Sequence, residues 1–243
     1  MTTEVKEGAK FRVKSANAKD WKAVVSAIES LVEEATFTIE QEGVMFRAMD
    51  PSHVGLIDLH WGPKSFESFQ CDKADKFTLH VEDFRKIIDR AGNDSFEICR
   101  TDKEELSIRE GSNREFQLHL LSYTGSESPL PKLNFDSKFT LDSDQFKSIM
   151  QDISTLSAHM KISTQENKII IQGKADEGSA KVELEQKDKF DKASSAVYSL
   201  EYLQKLCKPF SGEIKFSLST KMPLKMSLMD GTVDVYLAPR SME

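Results

Sequence analysis

Acid, hydroxyl and imidazole side chains meet within four residues of this sequence. Asp50, Ser52 and His53 lie in RAMDPSHVGLIDL, which runs from Arg47 to Leu59. These are the groups of a nucleophilic hydrolase, in which a hydroxyl attacks, an imidazole takes its proton and a carboxylate orients the ring. The spacing argues against that use. Ser52 and His53 are adjacent, which makes a direct hydroxyl-to-ring bond of the right geometry awkward, and such groups usually come from separate loops. Neither a G-x-S-x-G elbow nor a glycine-rich phosphate loop accompanies them. Three readings stand side by side: a hydrolase centred on His53, a turn made by Asp50-Pro51 with His53 capping or packing, and a loop that binds rather than cuts.

Other site chemistry finds little support. The five histidines (53, 60, 80, 119 and 159) form no H-x-x-x-H or H-x-x-E pattern, so no metal and no cofactor is expected. Cys71, Cys99 and Cys207 are odd in number and far apart, the pattern of reduced thiols in a cytosolic or nuclear protein. The first twenty residues lack an apolar stretch of the kind that directs secretion, and no run of 18 apolar residues spans a membrane. A net charge of −7 speaks on average against nucleic-acid binding, although the placement of the positive charge matters more than its sum.

The elements that position these residues repeat. KFTLHVEDFRKII from Lys76 matches KFTLDSDQFKSIM from Lys138, with a looser copy, KFRVKSANAKDWKAVV, from Lys10 and a weaker one, SAVYSLEYLQKL, from Ser195. Each reads as a strand running into a helix, with Asp83 and Asp142 as first-turn or cap acids. Apolar residues recur at helical spacing: Val24, Ile28 and Leu31; Phe84, Ile87 and Ile88; Phe146, Ile149 and Ile153; Leu203 and Leu206. A pair of alternating strands follows every helix, with turns at Glu42-Gly43, Asp102-Lys103, Glu166-Asn167 and Lys221 to Pro223. LSYTGSESPLPKLN, residues 121–134, carries glycine, serines and two prolines that cannot continue a sheet. The expected organisation is thus α+β, with two similar domains at 1–120 and 135–243 joined by a linker at 121–134. Each domain has two helices backed by antiparallel sheet.

Four segments in this order, AMDPSHVGLIDL (48–59), AGN (91–93), MPLKM (222–226) and VYLAPR (235–240), resemble the DNA sliding clamp of the proliferating cell nuclear antigen type. The resemblance runs from about Phe11 to Arg240. It implies three subunits closed head to tail into a pseudo-sixfold ring, helices lining the hole, and double-stranded DNA passing through without sequence preference. It implies subunit joints between EFQLHLL (Phe116, Leu118, Leu120) and AKVELEQ (Ala180, Val182, Leu184). DNA-facing positions would include Lys22, Arg85, Lys86, Arg90, Lys147, Lys205 and Lys208. Glu29, Asp89, Gln151 and Thr155 fall where the family commonly has basic residues or histidine, so the contact it implies is weak and diffuse.

By the same resemblance the loop at Asp50 binds. It would border a pocket of Met49, His53, Val54, Leu56, Leu130, Pro131, Pro223, Tyr236, Leu237, Ala238 and Pro239 that takes a glutamine-and-aromatic motif from partner proteins. The implied partners are DNA polymerase, the clamp loader, flap endonuclease and DNA ligase, in an archaeal cytoplasm with its nucleoid or in a nucleus. The implied role is a non-enzymatic processivity factor. A subunit of a mixed ring, replicative or checkpoint-type, and a monomeric peptide-binding scaffold are its rivals.

Overall fold

Helices and strands begin where the repeats place them. The computed structural model describes residues 9–101, 103–123 and 128–240, and within it each of the four copies folds as strand, helix and antiparallel strand pair. Residues 124–127 of the expected linker and Asp102 of an expected turn lie outside the described residues. The chain forms two compact units, Met1–Ala48 with Leu59–Glu127, and Met49–Asp58 with Ser128–Glu243. The segment 49–58 thus goes with the second unit, although the sequence alone places it in the first half.

The first unit contains β1 (Phe11–Ser15), α1 (Lys19–Glu29), β2 (Glu34–Glu40), β3 (Gly43–Met49), the end of β4 (Gly55–Trp61), β5 (Ser68–Cys71), β6 (Asp75–His80), α2 (Val81–Asp89), β7 (Phe96–Arg100), β8 (Glu105–Glu110) and β9 (Arg114–His119). One antiparallel sheet runs β5-β1-β7-β8-β9, and β2 pairs with β3 on one side and β6 on the other. Period-two alternation sends Phe11, Val13 and Ser15 of β1 inward and leaves Arg12 and Lys14 more exposed. On α1 the buried residues Trp21, Val24, Val25 and Ile28 fall on one helical stripe. The Trp21 indole donates to Ser15 Oγ at 3.1 Å. Its ring lies 4.8 Å from that of Trp61 and 6.1 Å from those of Phe84 and Phe96, so the two helices and both sheets share one aromatic core.

The second unit contains β10 (Ser137–Asp142), α3 (Ser143–Ser154), β11 (His159–Gln165), β12 (Lys168–Ala175), β13 (Gly178–Glu185), β14 (Ser194–Ser199), α4 (Leu200–Cys207), β15 (Glu213–Leu218), β16 (Leu224–Leu228) and β17 (Val233–Leu237). Its sheets run β13-β12-β11-β14 and β10-β15-β16-β17, with the start of β4 beside β17. Phe146 takes the place of Trp21: it meets Phe216 edge-on at 4.9 Å, and Phe216 stacks on Phe139 at 4.9 Å. Asp142 caps α3, its carboxylate accepting the N–H groups of Asp144 at 2.9 Å and Gln145 at 3.2 Å. Asp83 instead sits in the first turn of α2 with Glu82, where the helix dipole favours acids. A glycine is required at 173, because a Cβ there would lie 2.5 Å from Ile153 Cγ2 and hold α3 away from β12.

Candidate functional site

Asp50 organises its loop from the inside. Its side chain is 4% exposed. Oδ1 accepts the N–H groups of Val54 (2.7 Å) and Gly55 (2.6 Å), while Oδ2 accepts the N–H of Ser52 (3.1 Å) and the hydroxyl of Tyr202 (2.8 Å). Burial pushes the Asp50 pKa up, but the Gly55 amide, the Tyr202 hydroxyl and the amides of Val54 and Ser52 outweigh it and hold the carboxyl below its ordinary value. The same bond to Asp50, followed by burial, raises the Tyr202 phenol. His53 turns back on the loop in the left-handed region at φ 57°, its N–H donating to Asp50 O at 2.9 Å. Among the described residues no hydrogen bond joins the His53 ring to Asp50 or Ser52. The three groups that open the sequence argument are therefore a carboxylate saturated by main-chain amides and a tyrosine, with Ser52 and His53 exposed at the tip.

This loop meets the end of the chain. Ala238 N–H donates to Val54 O at 2.8 Å, and Leu224 and Lys225, next to Pro223, pair with Leu237 and Tyr236. Tyr198 fixes the neighbouring turn by donating its hydroxyl to Met222 O at 2.9 Å. Of the residues expected to border a pocket, Val54, Ala238 and Pro239 are half-buried, as are Met49, Pro131 and Pro223, while His53 is exposed. Leu130 is also exposed, at 40%. Leu56, Tyr236 and Leu237 are buried, so in this conformation they form the floor beneath a surface and not its wall. The Lys225 ammonium lies over the Tyr236 ring at 5.6 Å and pairs with Asp234 at 2.7 Å.

The helix cations divide by partner. Lys22 Nζ donates to Ala91 O at 2.6 Å, just beyond the end of α2, and Lys147 Nζ donates to Phe210 O at 2.6 Å, just beyond the end of α4. Each lysine directly follows the aromatic residue that its helix buries, so the same device closes the neighbouring helix in both units. Arg85 pairs with Glu29 at 2.7 Å and Asp89 at 2.9 Å, Lys86 with Glu82 at 2.8 Å, and Lys205 with Glu201 at 2.6 Å. Donating a hydrogen bond to Glu82 raises the Lys86 pKa, and the Lys205 contact lowers that of Glu201. Arg90 and Lys208 sit exposed at the ends of α2 and α4 with no ion pair among the described residues.

Among the described residues β9 and β13 are edge strands, as are β5, β6, β10 and β14. β9 is the last strand of its sheet and β13 the first of its own. Phe116, Leu118 and Leu120 in and just after β9 are half-buried and alternate with exposed polar residues, and Ala180, Val182 and Leu184 of β13 do the same. Among the described residues no group of three His, Cys, Asp or Glu side chains is placed to hold a metal ion. Burial pushes the Cys207 thiol up to about 12.

Sequence reading missed three features of the site: Tyr202 as the holder of Asp50, the carbonyls that Lys22 and Lys147 close, and the way the chain end ties down the loop. Only the lysines leave a signal, their common position after Trp21 and Phe146.

Comparison with known proteins covers most of the chain. Residues 10–117 match the family model for the proliferating cell nuclear antigen N-terminal domain, and residues 129–241 match that for the C-terminal domain. A DNA polymerase sliding clamp of Nitrosopumilus maritimus is 37% identical over 95% of this chain and 98% of its own. One of Cenarchaeum symbiosum is 35% identical over the same shares. Among solved structures, the proliferating cell nuclear antigen of Thermococcus kodakaraensis superposes with a TM-score of 0.89 at 19% identity, covering 95% of this chain and 100% of that one. A structure of the C-terminal region of FEN-1 bound to the A. fulgidus protein gives a TM-score of 0.89 at 22% identity, over 96% and 99%.

Proposed function

This chain belongs to the proliferating cell nuclear antigen family, and from that premise we propose that it is a DNA sliding clamp: a non-catalytic ring that encircles duplex DNA, keeps DNA polymerase on its template and docks other replication and repair enzymes. The observation that carries the ring is one edge strand in each unit, β9 and β13, on which half-buried apolar residues alternate with exposed polar ones. β9 and β13 each present a row of free main-chain donors and acceptors with alternate half-buried apolar side chains. Such an edge invites another strand. A contact between two different edges of one chain is head to tail, and it closes into a ring when its rotation suits. Phe116, Leu118 and Leu120 would face Ala180, Val182 and Leu184 of the next subunit.

Duplex DNA inside such a ring needs only diffuse phosphate contact, because the ring is topologically held. The pairing of the helix cations suits that. Lys22 and Lys147 are drawn onto carbonyls, Lys147 also pairing with Asp144 at 3.5 Å, and Arg85, Lys86 and Lys205 are neutralised by neighbouring acids, which leaves Arg90 and Lys208 as the foremost phosphate contacts. The surface formed by the 49–58 segment, Leu130 and Pro131, and the stretch from Tyr236 to Pro239 would take a partner's glutamine-and-aromatic motif, with main-chain groups near it for strand pairing. DNA polymerase, flap endonuclease, clamp loader and DNA ligase are the partner classes this reading names. Its place of action would be the nucleoid, as in an archaeal cell.

Molar mass in solution by light scattering is the direct test. Three times the 27.5 kDa chain mass is expected, and Leu118→Pro, which removes a ladder donor from β9, should give monomers. A wild-type monomer would turn the reading toward a mixed ring whose other subunits are different chains. A trimer that survives Leu118→Pro would move the joint away from β9.

A further inference from the structure

The second unit holds a cavity of about 410 Å³ whose only residue shared with the expected pocket is Pro239. Lys161, Val197, Thr220, Lys221, Pro239 and Arg240 shape it. The cavity lies along the outer side of β14, where the backbone of two of its basic residues is held by main-chain bonds. Lys221 N–H donates to Ser195 O at 3.1 Å, and Arg240 N–H donates to Val197 O at 2.7 Å. Lys221 is held there in the left-handed region at φ 58°, a conformation that disfavours any residue with a Cβ. A glycine would relieve that strain and lose the ammonium.

Among the described residues, Lys161, Lys221 and Arg240 are the charged ones that line the cavity, and no carboxylate does. Among the described residues none of the three forms an ion pair; the Arg240 guanidinium contacts His159 Nδ1 at 3.5 Å. This is an unpaired cationic hollow on a chain of net charge −7. Arg240 directly follows Pro239, and Ala238 N–H is bonded to Val54 O, so the hollow adjoins the surface assigned above to partner docking.

We propose that this cavity receives an acidic side chain from the segment flanking a partner protein's docking motif, and that the chain uses it to discriminate among partners. The proposal rests on the docking reading above and adds the chemistry of the flank. Charge complementarity selects a carboxylate, for which Arg240 offers a planar fork of donors and the two lysines offer point charges. The cavity's size and its apolar wall of Val197 and Pro239 select a peptide side chain over a nucleic acid, which is bound along an open row of cations.

The test measures binding of the intact protein to fluorescent synthetic peptides carrying the glutamine-and-aromatic motif. One peptide has a neutral flank, one a run of glutamates before the motif, and one the same run after it. At low salt one of the two acidic peptides should bind about five-fold tighter than the neutral one, the size expected of a few partly exposed ion pairs. The gain should shrink at high salt and vanish in a Lys161→Gln, Lys221→Gln, Arg240→Gln triple variant that still binds the neutral peptide normally. Equal affinity for all three peptides overturns the proposal while the docking reading stands. Binding of none overturns both. If a short DNA duplex abolishes the gain and leaves the neutral peptide bound, the hollow takes phosphate, and the peptide assignment fails.

Discussion

The two units carry the same helix pair and hold it differently. In the first, Arg85 of α2 reaches across to Glu29, the last residue of α1, and also binds Asp89 on its own helix. Counting from each helix start or buried aromatic residue, the equivalents in the second unit are Gln204 and Ser154, which cannot form that pair. The reverse holds two positions earlier. Asp83 is a plain first-turn acid in α2, whereas its counterpart in α4 is Tyr202, whose hydroxyl holds the buried Asp50. What both units keep is the lysine that closes the partner helix, Lys22 in one and Lys147 in the other. Repetition thus preserves what every helix pair needs, a filled aromatic site and a capped end. Lateral positions are free to diverge: the first unit uses them to brace its helices, and the second uses one to anchor the loop that carries His53.

Removing the shared feature should hurt both units most. Trp21→Ala and Phe146→Ala are each expected to cost about 3–5 kcal/mol in denaturant unfolding, since both empty the aromatic centre of a core. A small loss at either position would break the equivalence. Next in size, Tyr202→Phe should loosen the 50–54 loop by about 1–2 kcal/mol, because it strips a charge-assisted bond from a buried carboxylate. Faster hydrogen exchange at the Val54 and Gly55 amides is the readout. Asp83→Asn should leave those amides unchanged. The loop also carries a pH signature. With the Asp50 pKa depressed in the folded state, its contribution is complete above the ordinary carboxylate range, about pH 4, and is lost as the pH falls through the lower folded value. Protection of Val54 and Gly55 should follow that course in the native protein and be low at all pH in Asp50→Asn.

A smaller effect tests the conserved device. Lys22→Met and Lys147→Met keep the aliphatic stem and remove the donor, and each should cost about 1 kcal/mol as the carbonyl beyond the neighbouring helix returns to water. Equal and additive costs would support independent units, because sites without shared partners add.

How much of this was legible in the sequence depends on the range of the interaction. The repeats were, because hydrophobic period is a local property: two lines of KFTL and the alternating strands after each helix suffice. The fourth copy is weak because α4 has only eight residues and shows little more than Leu203 and Leu206 before it ends. Asp50-Pro51 announced a turn through short-range chemistry, and the carboxylate does bond main-chain N–H groups two to five residues on. Its fourth partner, Tyr202, lies 152 residues away, and no local pattern marks that pairing. The same long-range ties, Tyr202 to Asp50 and Ala238 to Val54, draw segment 49–58 into the second unit against its position in the chain. Lys22 and Lys147 were legible as basic residues on helices but not as caps, since the carbonyls they close belong to another helix's end.

The smallest expected effect falls on the feature that separates the units. Arg85→Gln installs the second unit's residue in the first and removes the link from α2 to Glu29. Both partners are partly exposed, so the cost should be about 0.5 kcal/mol and should fall with added salt. The reciprocal change, Gln204→Arg with Ser154→Glu, places the pair on α3 and α4, and a gain of similar size is expected if the helix geometry is truly equivalent. Should the gain fail to appear while Arg85→Gln costs what is expected, the helices of the second unit lie too far apart at that end for the pair to close. Divergence there would then reflect a difference in backbone geometry, and the brace of the first unit would be a consequence of closer helices rather than their cause.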